Sequence, residues 1–176
     1  MIDEIMEYNR KFVENKGYEP YLTSKYPDKK LAILTCMDTR LLELLPAALG
    51  IKNGDAKIIK NAGGVIVHPY GSVVRSLLVG ILELGVEEVM VIGHTDCGVQ
   101  GMDGHEMLEK LVERGIDQQH IDIVRHSGID LERWLGGFES VESSVHETVR
   151  RLKEHPLMPK NVRISGFIMD SATGEL

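Results

Sequence analysis

The sequence predicts an α/β fold, a mostly parallel central sheet with helices on both faces, and three observations carry that expectation. Short apolar runs alternate along the chain with stretches of helical periodicity, an order that calls for right-handed crossovers between parallel strands. The clearest runs are continuously apolar, as strands covered on both faces are. Both cysteines fall where such runs end, at the carboxyl edge where sheets of this kind hold their ligands.

Residues 2–16 place Ile2, Ile5, Met6, Phe12 and Val13 on one face of an amphipathic helix that Gly17 ends. Residues 18–29 are an irregular, aromatic-rich connection. Residues 1–29 therefore read as an N-terminal helical arm and connector, suited to packing on a partner subunit, ahead of a single α/β domain over 30–176. The run LAILT at 31–35 is the first strand. Residues 41–49 read as a helix kept short by Pro46, and 57–60 as a second strand leading into the glycine loop 61–64. Apolar groups at helical spacing fill 71–84, with Gly85 at the stop. The third strand, 88–92, runs straight into Gly93 and His94. Residues 104–115 and 139–154 read as further helices, the second closed by His155 and Pro156. A last strand covers 162–169, and 170–174 is turn chemistry.

A chain of 176 residues with 43% hydrophobic and 27% charged residues suits one compact domain with a substantial core. The net charge of −7 and the absence of any basic block argue against a nucleic-acid partner. No apolar run is long enough for a bilayer. The acidic, amphipathic N-terminus lacks the charged start and apolar stretch of a signal peptide, so a cytoplasmic address without membrane contact is expected. Two cysteines are not a disulfide framework; in a reducing compartment they serve as core filler, metal ligand or reactive thiol.

Two strings concentrate the chemistry: Cys36-x-Asp38-x-Arg40 after the first strand and His94-x-x-Cys97 after the third. An imidazole and a thiolate within one turn of chain suit two ligands on one tetrahedral ion, and Cys36 supplies a third if its strand neighbours the one ending at Ile92. Two sulfurs and one nitrogen match zinc and leave a fourth position. Asp38, two residues beyond Cys36, points the same way in extended chain. It either accepts a hydrogen bond from a metal-bound water or displaces that water and closes the site as a fourth ligand. Arg40 holds Asp38 in a charge-assisted pair that keeps it ionised, and Gly98 leaves a backbone N–H accessible to a small anion. A closed structural zinc site and a thiol redox pair are the bland alternatives, the latter lacking C-x-x-C spacing. The remaining histidines, His68, His105, His120, His126, His146 and His155, read as solvated or capping groups, with His68 a candidate proton relay. The 61–64 loop reads as a turn that lets backbones approach closely, in preference to an anion cradle. Asp96 reads as a turn or supporting residue, and Trp134 with Leu135 and Phe138 as a hydrophobic anchor.

These strings, with Lys60-Asn61-Ala62-Gly63 between them, Gly93 to Gly98 around the histidine, and the ending from Ile164 to Gly174, resemble the signature of the β-class carbonic anhydrases, closest to the small prokaryotic branch. The similarity spans roughly residues 30–174. It implies a parallel sheet with an antiparallel edge strand and a homodimer or dimer of dimers, with the N-terminal helix crossing onto the partner. It also implies one Zn2+ per chain on Cys36, His94 and Cys97, and an Asp38–Arg40 catalytic dyad in which Asp38 takes the fourth metal position in closed forms. The implied reaction is reversible hydration of carbon dioxide to bicarbonate and a proton by zinc-bound hydroxide, with Gly98 steadying the product. Gly64 stands where relatives often carry Asn or Ala, which bears on substrate preference. Rival readings are a carbonyl sulfide or carbon disulfide hydrolase on the same fold, and a non-catalytic zinc protein closed by Asp38.

Overall fold

The computed structural model describes residues 1–176. Four strands, β1 (Leu31–Cys36), β2 (Ala56–Asn61), β3 (Glu88–His94) and β4 (Arg163–Met169), form one sheet in the order β2-β1-β3-β4. All three pairings are parallel. β1 and β3 are central; Ile33, Leu34, Val91 and Ile92 are fully buried, which accounts for the unbroken apolar runs in the sequence. β1 passes to β2 on one side, whereas β3 passes to β4 on the other. The order therefore reverses between β1 and β3, and the crevice at their carboxyl ends is where such sheets bind ligands.

Helices cover the sheet. The crossover from β1 to β2 holds α2 (Leu44–Ala48), and that from β2 to β3 holds α3 (Ser72–Leu84), ended by Gly85 at φ +75°. The α7 helix (Val141–Glu154) starts at Ser140, whose hydroxyl accepts from the Ser143 N–H. It lies on β3 and β4 closely enough that a side chain at Gly93 would come within 2.7 Å of Val141 and Val145. The absent side chain lets α7 seat against the strand that carries His94.

Between β3 and α7 lie α4 (Gly104–Glu113), α5 (Gln118–His126) and α6 (Leu131–Leu135). Only the first of these is expected from the sequence. The other two are short and separated by Gly115 and Gly128, so neither shows a long apolar period. The aspartates Asp103, Asp117 and Asp130 cap the three helices with side-chain oxygens, and those caps are the signal the apolar pattern lacks. The three helices share a small core of Leu108, Ile121 and Leu131.

The antiparallel edge strand implied by the family resemblance is not in the sheet. Residues after β4 curl back at once: the Asp170 carboxylate accepts from Ala172 and Thr173, and the Asp170 N–H donates to the Glu175 carbonyl. A chain turned this tightly presents no extended partner to β4. At the other end α1 (Ile2–Glu14) buries none of its residues, leaving Ile2, Ile5, Met6 and Val13 each more than half exposed. No helix is long and apolar enough to cross a membrane.

Candidate metal centre

Cys36 ends β1 and His94 ends β3, and parallel pairing sets Thr35 level with Ile92. The Thr35 hydroxyl locks that register by donating to the Ile92 carbonyl at 2.8 Å, fully buried. Neighbouring strand ends thus bring Cys36 beside His94, and the short loop after β3 returns Cys97 to them. The ligand atoms of the three residues lie within 4.8 Å of one another, all three residues buried.

The donor chemistry fits a zinc ion. The two sulfurs are 3.9 Å apart, against about 3.8 Å for two thiolates on one tetrahedral zinc at ordinary bond lengths. His94 is 1% exposed, and its Nδ1–H donates to the Thr95 carbonyl at 2.8 Å. A carbonyl only accepts, so the proton sits on Nδ1 and Nε2 keeps its lone pair. Nε2 is buried and has no protein partner, an orphan that a metal would satisfy. Burial pushes the Cys97 thiol up, and the nearby Cys36 sulfur adds to that shift.

The loop carrying this set is tied down. The Thr95 N–H donates to the Met169 carbonyl, and the Thr95 hydroxyl accepts from the Ser171 N–H. The carbonyl that orients His94 is thereby anchored to the end of β4. Nothing in the local pattern of Thr95 or Ser171 marks them for this task; it follows from β3 and β4 being neighbours.

Asp38 stands beside the sulfur and nitrogen group. Its Oδ2 is 3.8 Å from His94 Nε2, beyond hydrogen-bond reach. Both carboxylate oxygens are engaged by Arg40. Oδ1 accepts from the Arg40 backbone N–H at 2.9 Å and from Nε at 3.0 Å, and Oδ2 accepts from Nη2 at 2.9 Å. These bonds hold the Asp38 carboxyl well below the usual carboxylate range, overcoming the opposing effect of burial. Arg40 also reaches across to Asp96, where Nη1 donates to Oδ2 and Nη2 to the carbonyl, each at 2.8 Å. Lys60, level with Thr35 on β2, is a further cation here: burial pushes its ammonium down, whereas Cys36 and Asp38 pull it up.

Gly98 is exposed, its N–H makes no hydrogen bond within the chain, and a side chain there would meet nothing within 4 Å. Gly64 is the opposite case. It sits at φ +66°, and a Cβ would come 2.9 Å from the Thr35 carbonyl carbon and 3.0 Å from the Cys36 nitrogen. The 61–64 turn is therefore a close backbone approach behind Cys36, closed by Asn61 bonding Val65 in both directions.

The other histidines stay outside. His68 is exposed and accepts from the Tyr70 N–H; His105, His120, His126 and His146 are exposed. His155 is the capping case and not a solvated one: it stands at the C-cap of α7. It is 5% exposed, with Nε2 donating to the Pro69 carbonyl and Nδ1 accepting from the Leu157 N–H. Trp134 is 58% exposed, whereas Phe138 packs against the main core.

Known proteins resemble this chain over most of its length. A protein-family model described as carbonic anhydrase matches residues 31–176. The Bacillus subtilis protein named "Putative carbonic anhydrase YvdA" is 52% identical over 175 residues, covering 99% of this chain and 89% of the relative. The crystal structure of β-carbonic anhydrase isoform I from Trichomonas vaginalis superposes with a TM-score of 0.88 at 35% identity, over 99% of this chain and 94% of that one. A carbon disulfide hydrolase from Saccharolobus solfataricus is 33% identical over 161 residues, covering 85% of this chain and 76% of its own.

Proposed function

The chain belongs to the β-carbonic anhydrase family, and on that premise we propose that it catalyses the reversible hydration of carbon dioxide to bicarbonate and a proton, with one zinc ion per chain on Cys36, His94 and Cys97. The observation that carries this reading is the donor set, two buried sulfurs 3.9 Å apart beside an imidazole nitrogen that no protein group satisfies. When bound, zinc supplies Lewis acidity that makes water reactive near neutral pH. Three protein donors are the complement of a catalytic site, where a fourth position stays free.

The remaining tasks fall to the chain's own residues. Asp38, kept ionised by Arg40, accepts a hydrogen bond from the reacting water and fixes its orientation toward the carbon. A carboxyl held this acidic does not retain the proton, which passes on to solvent. Arg40 also keeps the Asp38 carboxylate turned aside from the three donors, so it would not compete for a metal held there. The unoccupied Gly98 N–H donates to an oxygen of the forming bicarbonate, where negative charge develops. A Cβ at Gly98 would meet nothing within 4 Å, which leaves that N–H open to a small substrate.

The similarity to carbon disulfide hydrolases favours a second reading, in which the same residues act on another linear, isoelectronic substrate. The 50% and 52% identity to two Bacillus subtilis relatives carrying the carbonic anhydrase name supports carbon dioxide first. Stopped-flow hydration by the zinc-loaded protein between about pH 7 and 9, beside sulfide release from carbonyl sulfide and carbon disulfide, decides between them. Rapid hydration is expected. Sulfide release without hydration moves the assignment to the second reading, and neither activity at any pH overturns both.

The functional unit is a homodimer in this proposal. The apolar stripe of α1 has no cover in its own chain, and residues 1–29 act as an arm laid on the partner while 30–176 form the catalytic body. A cytoplasmic address, as the sequence leads one to expect, is part of the same proposal.

A further inference from the structure

We propose that Asp96 is a positioning residue that sets how readily the site opens, by tethering Arg40 and through it Asp38. The inference rests on the reading above, that Asp38 orients the reacting water for as long as Arg40 keeps it turned aside from the donor set.

A guanidinium has five N–H donors. Arg40 spends two on the Asp38 carboxylate and two on Asp96, one to its carboxylate and one to its carbonyl. The two aspartates come from different strand ends, Asp38 after β1 and Asp96 after β3, 58 positions apart by subtraction of their numbers. Arg40 is thus a strut across the crevice that holds the metal ligands. Asp96 reaches it from a left-handed backbone, φ +54°, a conformation Asp tolerates better than most side chains. In that conformation one residue presents both its carboxylate and its carbonyl to the same guanidinium.

The Asp96 side chain is 86% exposed, and an isolated ion pair that exposed contributes little to stability. Its effect here is on geometry. Asp38 Oδ2 is 3.8 Å from His94 Nε2, and shutting the donor set would take a turn of its carboxylate toward the three ligands. That turn takes the carboxylate away from the Arg40 backbone N–H, Nε and Nη2, so it is held back for as long as the guanidinium stays in place. The two bonds to Asp96 fix the guanidinium there from its far side. Asp96 therefore biases the equilibrium toward the open arrangement without touching metal or substrate.

The test uses the full chain loaded with cobalt in place of zinc and titrated with thiocyanate, followed by visible absorption. Thiocyanate needs the fourth position and competes with Asp38 for it, so its affinity reads the open fraction without any turnover. Asp96→Gly removes the carboxylate and keeps the left-handed backbone; Asp96→Asn restores an acceptor of the same shape. Asp96→Gly is expected to bind thiocyanate about three- to fivefold more weakly than wild type, the scale of one partly exposed charge pair. Asp96→Asn should recover most of that loss, and metal content should be unchanged in both. In an Asp38→Ala background nothing remains to swing inward, and the Asp96→Gly effect should vanish. Unchanged affinity in Asp96→Gly, or an equal loss in the Asp38→Ala background, overturns the proposal. A wild-type chain whose cobalt form lacks thiolate absorption defeats instead the site reading on which it rests.

Discussion

Cys36 and Cys97, 61 residues apart in the chain, hold their sulfurs 3.9 Å from each other in the buried crevice between β1 and β3. That separation suits one tetrahedral ion and is nearly twice the length of a disulfide bond, about 2.0 Å. Cys36→Ser and Cys97→Ser should each lower zinc content from about one per chain to a small fraction and abolish hydration, read by elemental analysis and stopped flow. Chelating the metal from wild type should lower the melting temperature, because a ligand that binds only the folded chain stabilises it by mass action.

The Asp38–Arg40 pair predicts an acid-side response of known sign. The folded carboxyl is held below its ordinary value by Arg40. The pair therefore contributes stability that is fully present above the unfolded pKa, about 3.9, and is lost as pH falls through the lower folded value. Arg40→Met removes the clamp and raises that folded pKa, so acid unfolding should set in at higher pH than in wild type, measured by circular dichroism. Hydration by the same variant should fall about 10- to 100-fold, the usual cost of losing the partner of a group at a metal site.

Gly64 tests the close approach behind Cys36. Alanine there must accept a left-handed φ and a Cβ 2.9 Å from the Thr35 carbonyl carbon. Gly64→Ala should cost about 1–3 kcal/mol in denaturant unfolding. Because the backbone that shifts is that of Cys36, zinc affinity should weaken alongside stability. Gly98→Ala meets no such contact and should leave stability within about 0.5 kcal/mol of wild type.

The exposed stripe of α1 predicts an assembly phenotype. No residue of that helix is buried in its own chain, so Ile5→Glu with Met6→Glu should leave the fold intact by circular dichroism. Sedimentation should show wild type as a dimer and the double variant shifted toward monomer. A double variant that stays dimeric removes the arm from the interface.

Much of this protein is readable from local pattern. Continuous apolar runs mark the central strands β1 and β3, because strands buried on both faces admit little else, and Gly85 marks the end of α3 because a left-handed cap favours glycine. Cys36, Asp38, Arg40, His94 and Cys97 stood out because residue type and spacing of two or three positions encode which groups share a turn of chain. The α5 and α6 helices were missed because their apolar periods are too short to register, and only their aspartate caps announce them.

What the tertiary structure alone decided depends on sheet order and register. That β1 lies beside β3, with Thr35 level with Ile92, is what converts two separate strings into one buried donor set. The tautomer of His94 is set by a carbonyl anchored to β4, and the second hold on Arg40 comes from Asp96 on another strand end. The tight turn after Asp170 likewise removed the antiparallel edge that family resemblance implied. Local preferences act over a few residues and are written in the sequence. Distances between strand ends are settled by packing across the whole sheet, and no short-range signal carries them.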